Sequence, residues 1–191
     1  MKNTLEKIIN EKTTFSKKDF VFFWKACKGN KINEGCLSQW YMSDFIIDGR
    51  RYCCAEQYMM SKKAELFNDY ETYEQILKQK DPRKIKLLGR SVKNFDAIKW
   101  GQYKTQFVHE ANLAKFTQNQ GLRDYICQTF NKILVDASPY DKVWGIGMSK
   151  SNLDVVNPLE WKGENLLGFV LMDVREEIIK STPEPFSMDL E

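Results

Sequence analysis

Arg51-Tyr-Cys-Cys-Ala-Glu-Gln-Tyr-Met-Met-Ser-Lys-Lys-Ala-Glu-Leu-Phe67 is the stretch around which the rest of the chain is organised. Read as a helix from about Ala55, it places Glu56, Met59, Met60, Lys63 and Phe67 at spacings of three and four, on one face. The methionines and the phenylalanine predict that this face is buried. A carboxylate and an ammonium on such a face are costly to desolvate unless they meet each other, a partner or a ligand. Two readings stand on this window alone. Glu56 and Lys63 lie at the edge of the stripe and snorkel to water, or they belong to a site.

Upstream, Asp48-Gly49 sits between Phe45-Ile-Ile47 and Arg51-Tyr-Cys53 and signals a hairpin that feeds the helix. That puts Glu56 near the helix N-terminus, where the helix dipole favours a carboxylate. Further back, Phe20-Val-Phe-Phe-Trp-Lys25 reads as a buried strand ending in a basic residue before a Gly29-Asn30 turn, and a loop spans Lys28 to Gly35. Phe23 or Trp24 there has a second use, as a ring face on which a base stacks. Residues 1–18 form a polar arm or short helix.

Downstream the pattern is helical. Tyr70 to Lys78 forms one helix, and Asp81-Pro82 supplies an N-cap and a first-turn proline for another ending near Gly89. Ile98, Trp100, Tyr103, Phe107, Val108, Ala111, Ala114 and Phe116 follow helix spacing in the longest helix, Asp96 to Thr117, and Leu122 to Phe130 forms another. Ile133-Leu-Val135 is a short strand, Ser138-Pro-Tyr140 a turn, Trp144-Gly-Ile-Gly147 a loop, and Asn165 to Lys180 the closing helix. The tail, 181–191, is expected to fray. The whole predicts an α+β fold: a mainly helical single domain over 19–180 with a small antiparallel hairpin.

At 191 residues, 42% hydrophobic and 13% aromatic, the chain is long and apolar enough for one packed core. Its net charge of +3 is the remainder of 29 basic and 26 acidic residues, so global charge does not call for nucleic acid. Lys78, Lys80, Arg83, Lys84, Lys86, Arg90 and Lys93, against Asp81 alone, form a local basic stretch, read as a solvated helix face or a phosphate-facing patch. Cys27, Cys36, Cys53, Cys54 and Cys127 make no C-x-x-C pair, and His109 is the single histidine. These predict no metal site and no Ser-His or Cys-His nucleophile. With no apolar run of membrane-spanning length, the chain is expected to be a reduced cytoplasmic or nuclear protein. No G-x-G-x-x-G or P-loop is present, so nucleotide binding requires another architecture.

Taken together, Tyr52-x-x-Ala-Glu-Gln-Tyr-Met-Met-x-x-Lys-Ala64, Leu88-Gly-Arg90, Trp100 with Lys115-Phe116, Asp141-x-x-Trp-Gly-Ile-Gly147 and Trp161-x-Gly-x-Asn-Leu-Leu-Gly168, followed by Leu171-Met172 and Arg175, resemble the YbiA-like or NADAR family, from about Phe22 to Ile178. The resemblance implies a compact N-glycosidase without metal or cofactor. Its substrate would be ADP-ribose on a guanine base, free or in DNA or RNA, or a phosphoribosylamino-pyrimidine of the riboflavin pathway; a non-catalytic ADP-ribose or NAD reader is the third alternative. Leu37-Ser-Gln-Trp-Tyr41 departs from the Phe-Ser-Asn-Phe form of the riboflavin-pathway members, which places Ser38 and Trp40 where the base is bound and disfavours the pyrimidine substrate.

An N-glycosidase needs a carboxylate near the anomeric carbon and a proton for the leaving base. The resemblance assigns Glu56 as the main carboxylate and Asp141 as a ribose grip or second acid; their structural alternatives are a helix cap and a cap of the Trp144 turn. Lys63 has three open roles: ion-pair partner, phosphate ligand, or amine that traps an opened ribose as a Schiff base. Lys25 and Arg90 are phosphate candidates, Trp144 is a substrate wall, and Trp100 lies between core and site. Gly145, Gly147, Gly163 and Asn165 bring backbone amides to a phosphate or ribose, or are ordinary turns.

Overall fold

A computed structural model describes residues 1–26 and 32–181. The expected Gly29-Asn30 turn, the first half of the Lys28 to Gly35 loop, Cys27 and nearly all of the tail lie outside the described residues.

The central element is α2 (Ala55–Leu66), on which α3 (Tyr70–Lys78), α4 (Pro82–Arg90) and α5 (Ala97–Gln118) pack. Ala55 through Ser61 are all buried, so the helix lacks the one-sided amphipathic stripe its spacing predicts. Neighbours on several sides take up its polar as well as its apolar face. Gln57 is satisfied by donating to the carbonyls of Ile76, Leu77 and Gln79 while its Oε1 accepts from the Cys53 amide.

The hairpin is present, with β2 (Phe45–Ile47) antiparallel to β3 (Arg50–Tyr52) and Ile47 opposite Arg50. Asp48 and Gly49 both have positive φ, 50° and 74°, as a two-residue turn of this kind demands. Asp69, Asp81 and Asp96 cap α3, α4 and α5 through their side chains, and Pro82 opens α4. After α6 (Gln120–Gln128) and β4 (Ile133–Asp136) comes α7 (Leu166–Lys180), packed on α5 and β4. A short helix, α1 (Leu5–Glu11), precedes the domain, and Asn3 binds Asp173 and Glu176 of α7.

Two features depart from the sequence reading. β1 (Phe20–Phe23) pairs in parallel with β4, Phe20 opposite Ile133 and Phe23 opposite Asp136, so a second small sheet joins strands far apart in the chain. On α5, Ile98 and Tyr103 are exposed, and the buried part runs from Phe107 to Phe116 and includes Asn112 and Lys115. Among the described residues no helix is long and apolar enough to cross a membrane.

Candidate active site

Glu56 is the second residue of α2 and is only 3% exposed. Its backbone amide donates to the Gln39 carbonyl at 3.0 Å. The turn carrying Gln39 is itself fixed from α5: the buried Lys115 ammonium donates to the carbonyls of Cys36 (2.6 Å) and Ser38 (3.0 Å), and Asn112 Nδ2 donates to Gln39 Oε1 at 2.8 Å. Ser38 is buried in this turn, its Oγ accepting from the Trp40 amide. Trp40 is thereby held half-buried beside Glu56.

Glu56 Oε1 has no hydrogen-bond partner. Ser43 Oγ and Asn112 Oδ1 share that state among the described residues, but neither ionises. Burial pushes the Glu56 carboxyl up to about 7, offset in part by Lys86 and the Trp40 indole and reinforced by Asp141. Lys86 and Arg90, one turn apart on α4, are the cations felt at Glu56. Lys86 Nζ also lies 4.0 Å from Asp141 Oδ2 and 5.8 Å from the Trp40 ring.

Asp141 divides its oxygens. Oδ1 accepts from the amides of Val143 (3.0 Å) and Trp144 (2.8 Å), which is the turn-capping role, while Oδ2 faces Lys86. A further acid, absent from the sequence reading, is Asp136 at the end of β4. It is 8% exposed, its Oδ1 accepts from the Ser138 amide, and burial together with Asp141 raises its carboxyl to about 7. Its main chain is clamped on both sides, the amide donating to Asn165 Oδ1 at 3.0 Å and the carbonyl accepting from Ile146 at 2.9 Å. An acid closing a short apolar strand, and Lys86 one turn before Arg90, are the sequence signals that could have found these residues.

The remaining predicted residues divide between this cluster and the scaffold. Trp144 is half-buried, with Lys104 Nζ 5.8 Å from its ring. Gly163 packs on Gly145 so closely that a Cβ would come within 2.4 Å of the Gly145 carbonyl, and Gly147 has φ 62°, so the loop needs glycine at both places. Asn165 is fully buried, and both its amide atoms bind the β4 backbone. Phe23 is a core residue, 2% exposed, with its ring taken up by packing. Trp24 and Lys25 follow it at the end of β1, Lys25 Nζ 4.5 Å from the Trp24 ring. Lys63 donates to the Gly89 carbonyl at 2.7 Å and lies over Phe95 at 4.1 Å and Trp100 at 5.8 Å; burial, then Arg90, lower its pKa. Glu56 is not its ion-pair partner. Two open depressions elsewhere, one lined by Gln79, Lys84, Leu87, Leu88 and Ser91 and the other by Lys17, Phe20, Phe22, Lys150 and Ser151, contain no carboxylate.

With this geometry in place, the comparisons with known proteins are specific. The model of the NADAR domain matches residues 22–179. An N-glycosidase of Acanthamoeba polyphaga mimivirus is 42% identical over 163 residues, covering 83% of this chain and 95% of its own. Protein irg-1 of Caenorhabditis elegans is 42% identical, covering 84% and 80%. The Escherichia coli N-glycosidase YbiA is 29% identical over 69% of this chain and 74% of its own. The solution structure of E. coli YbiA superposes with a TM-score of 0.71 at 24% identity over 91% of this chain and 93% of that one, which establishes the shared fold.

Proposed function

Because the chain belongs to the NADAR family and is a hydrolase of N-glycosyl bonds, we propose that its substrate is ADP-ribose joined to a guanine base, free or in a nucleic acid strand. The observation that carries this reading is the Glu56 carboxyl: buried at the N-terminus of α2, raised to about 7, with Oε1 unpartnered. A buried carboxyl oxygen that the protein leaves unsatisfied is what a site keeps for its substrate.

Cleavage breaks the bond from the anomeric carbon to the base nitrogen, and the electron pair leaves with the base. Positive charge builds on the sugar and a proton must reach the nitrogen. Ionised Glu56 stabilises the sugar cation and then takes the proton of the water that attacks it. Asp136, its carboxyl raised to about 7 by burial and by Asp141, supplies the proton to the base. Asp141 keeps Oδ2 for a ribose hydroxyl or Lys86.

The phosphates of ADP-ribose call for cations beside the carboxylates, and Lys86 and Arg90 supply them from α4. Lys63 fastens α2 to the end of α4 through Gly89 and so positions Arg90. Trp40 and Trp144 serve as walls for the base and sugar.

The test is product analysis with the wild-type protein. Incubation with ADP-ribosylated guanosine is expected to release ADP-ribose and guanosine. Turnover of a phosphoribosylamino-pyrimidine with no ADP-ribose release would contradict the proposed substrate.

A further inference from the structure

Beside the strand and loop that carry Asp136 and Asp141 lies a pair of rings that the chemistry above does not use. Tyr140 is 86% exposed and Trp24 37% exposed, and their centroids are 6.0 Å apart with the planes inclined at 55°. Large aromatic rings at such exposure forfeit the burial that usually justifies them. Lys25 Nζ stands 4.5 Å from the Trp24 ring, so a cation accompanies the pair.

Their position follows from the parallel sheet. Phe23 is in register with Asp136, and the Ala137 amide donates to the Phe23 carbonyl at 2.7 Å. Trp24 therefore leaves β1 beside the residue that ends β4. Tyr140 immediately precedes Asp141 in the loop that follows β4, and its amide points to Ser138 Oγ at 3.4 Å. Both rings stand at the carboxyl ends of two parallel strands, where open α/β arrangements bind their ligands.

We propose that Tyr140, braced by Trp24 and flanked by the Lys25 ammonium, is a stacking platform for a nucleotide adjoining the target base, which makes a single-stranded nucleic acid the substrate in preference to a free nucleotide. This rests on the glycosidase reading above and narrows it. Single-strand binders combine an exposed ring face for a base with cations for the backbone phosphates, and this edge has both. A tilted rather than stacked pair leaves the Tyr140 face open to an incoming base. Lys86 and Arg90 on α4 bring positive charge to the acids, and Lys25 at the end of β1 brings it to the ring pair. Among the described residues Tyr140 is the most exposed ring, ahead of Tyr70 (60%) and Phe130 (57%), while the comparably exposed Leu153, Leu159 and Ile98 are aliphatic.

The test measures fluorescence anisotropy of a labelled, unmodified single-stranded oligonucleotide with the full chain. The wild type is expected to bind it more tightly than a duplex of the same sequence, and more weakly as salt rises. Tyr140→Ala is expected to weaken binding about fivefold or more, while Tyr140→Phe retains it. Removal of so exposed a ring leaves the core intact, and an unchanged circular dichroism spectrum checks that. The same variant should lose kcat/KM on an ADP-ribosylated oligonucleotide relative to ADP-ribosylated guanosine. Absence of wild-type binding, equal affinity for duplex, or unchanged affinity of Tyr140→Ala would each overturn the platform. Release of ADP-ribose from the free nucleoside with no oligonucleotide binding would sink the platform and leave the glycosidase reading standing; Tyr140-dependent binding without release would do the reverse.

Discussion

Lys115 and Glu56 are both charged side chains in the interior, 0% and 3% exposed, on helices that pack together, and both hold the turn from Cys36 to Trp40. Lys115 spends its ammonium on the Cys36 and Ser38 carbonyls and lies over the Phe116 ring at 4.9 Å. Glu56 contributes only its backbone amide, to Gln39, and leaves carboxyl Oε1 without a partner. The difference separates two uses of a buried charge. One is satisfied and shapes the scaffold; the other is left unsatisfied and ready for chemistry.

The comparison breaks first at Lys115. Replacing it with methionine keeps the bulk but removes the ammonium's bonds to two backbone carbonyls, and is expected to cost about 3 kcal/mol in a denaturant titration. A loss of a few tenths would show that the ammonium clamps nothing.

Glu56→Gln should act in the opposite direction. With a folded pKa near 7 against 4.5 when solvated, Glu56 binds more protons in the native state than in the unfolded one between those values. Its contribution therefore falls as pH rises through that window, by up to about 3 kcal/mol. Glutamine cannot ionise, so the variant should be more stable than the wild type at pH 8, with the gap closing below about pH 4.5. Thermal melts across this range check the sign; a variant less stable at pH 8 would place Glu56 with Lys115.

Much of this division was legible in the sequence. The Asp48-Gly49 turn, the Asp81-Pro82 start of α4 and the acid at the head of α2 each announce themselves within a few residues, because caps and tight turns are local chemistry. The pairing of β1 with β4 was not, since a parallel partner from the far end of the chain leaves no mark on either strand. Asp136 escaped for the same reason: only that pairing and the Asn165 clamp bury it beside Asp141. The burial of α2 on several sides was hidden too, because Gln57 and Ser61 look solvent-facing until α3 and the preceding turn of backbone satisfy them.

Lys63 sharpens the comparison at its boundary, being half-buried and held by Gly89. If it positions α4, Lys63→Ala should lower kcat about tenfold by displacing the helix that carries Lys86 to the acids, and Lys63→Arg should recover most of it. An amine that attacks ribose would not be rescued by a guanidinium. The smallest effect belongs to the exposed Arg90: Arg90→Ala is expected to raise KM about threefold at low salt, with the difference fading as ionic strength rises.

The most direct test is release of free ADP-ribose from a guanine-ADP-ribosylated oligonucleotide by the wild type and by Glu56→Gln, with the fold of each checked by its melting temperature. The account predicts release by the wild type and a loss of about a thousandfold in the variant, with no loss of stability at neutral pH. Comparable release by both proteins would contradict it.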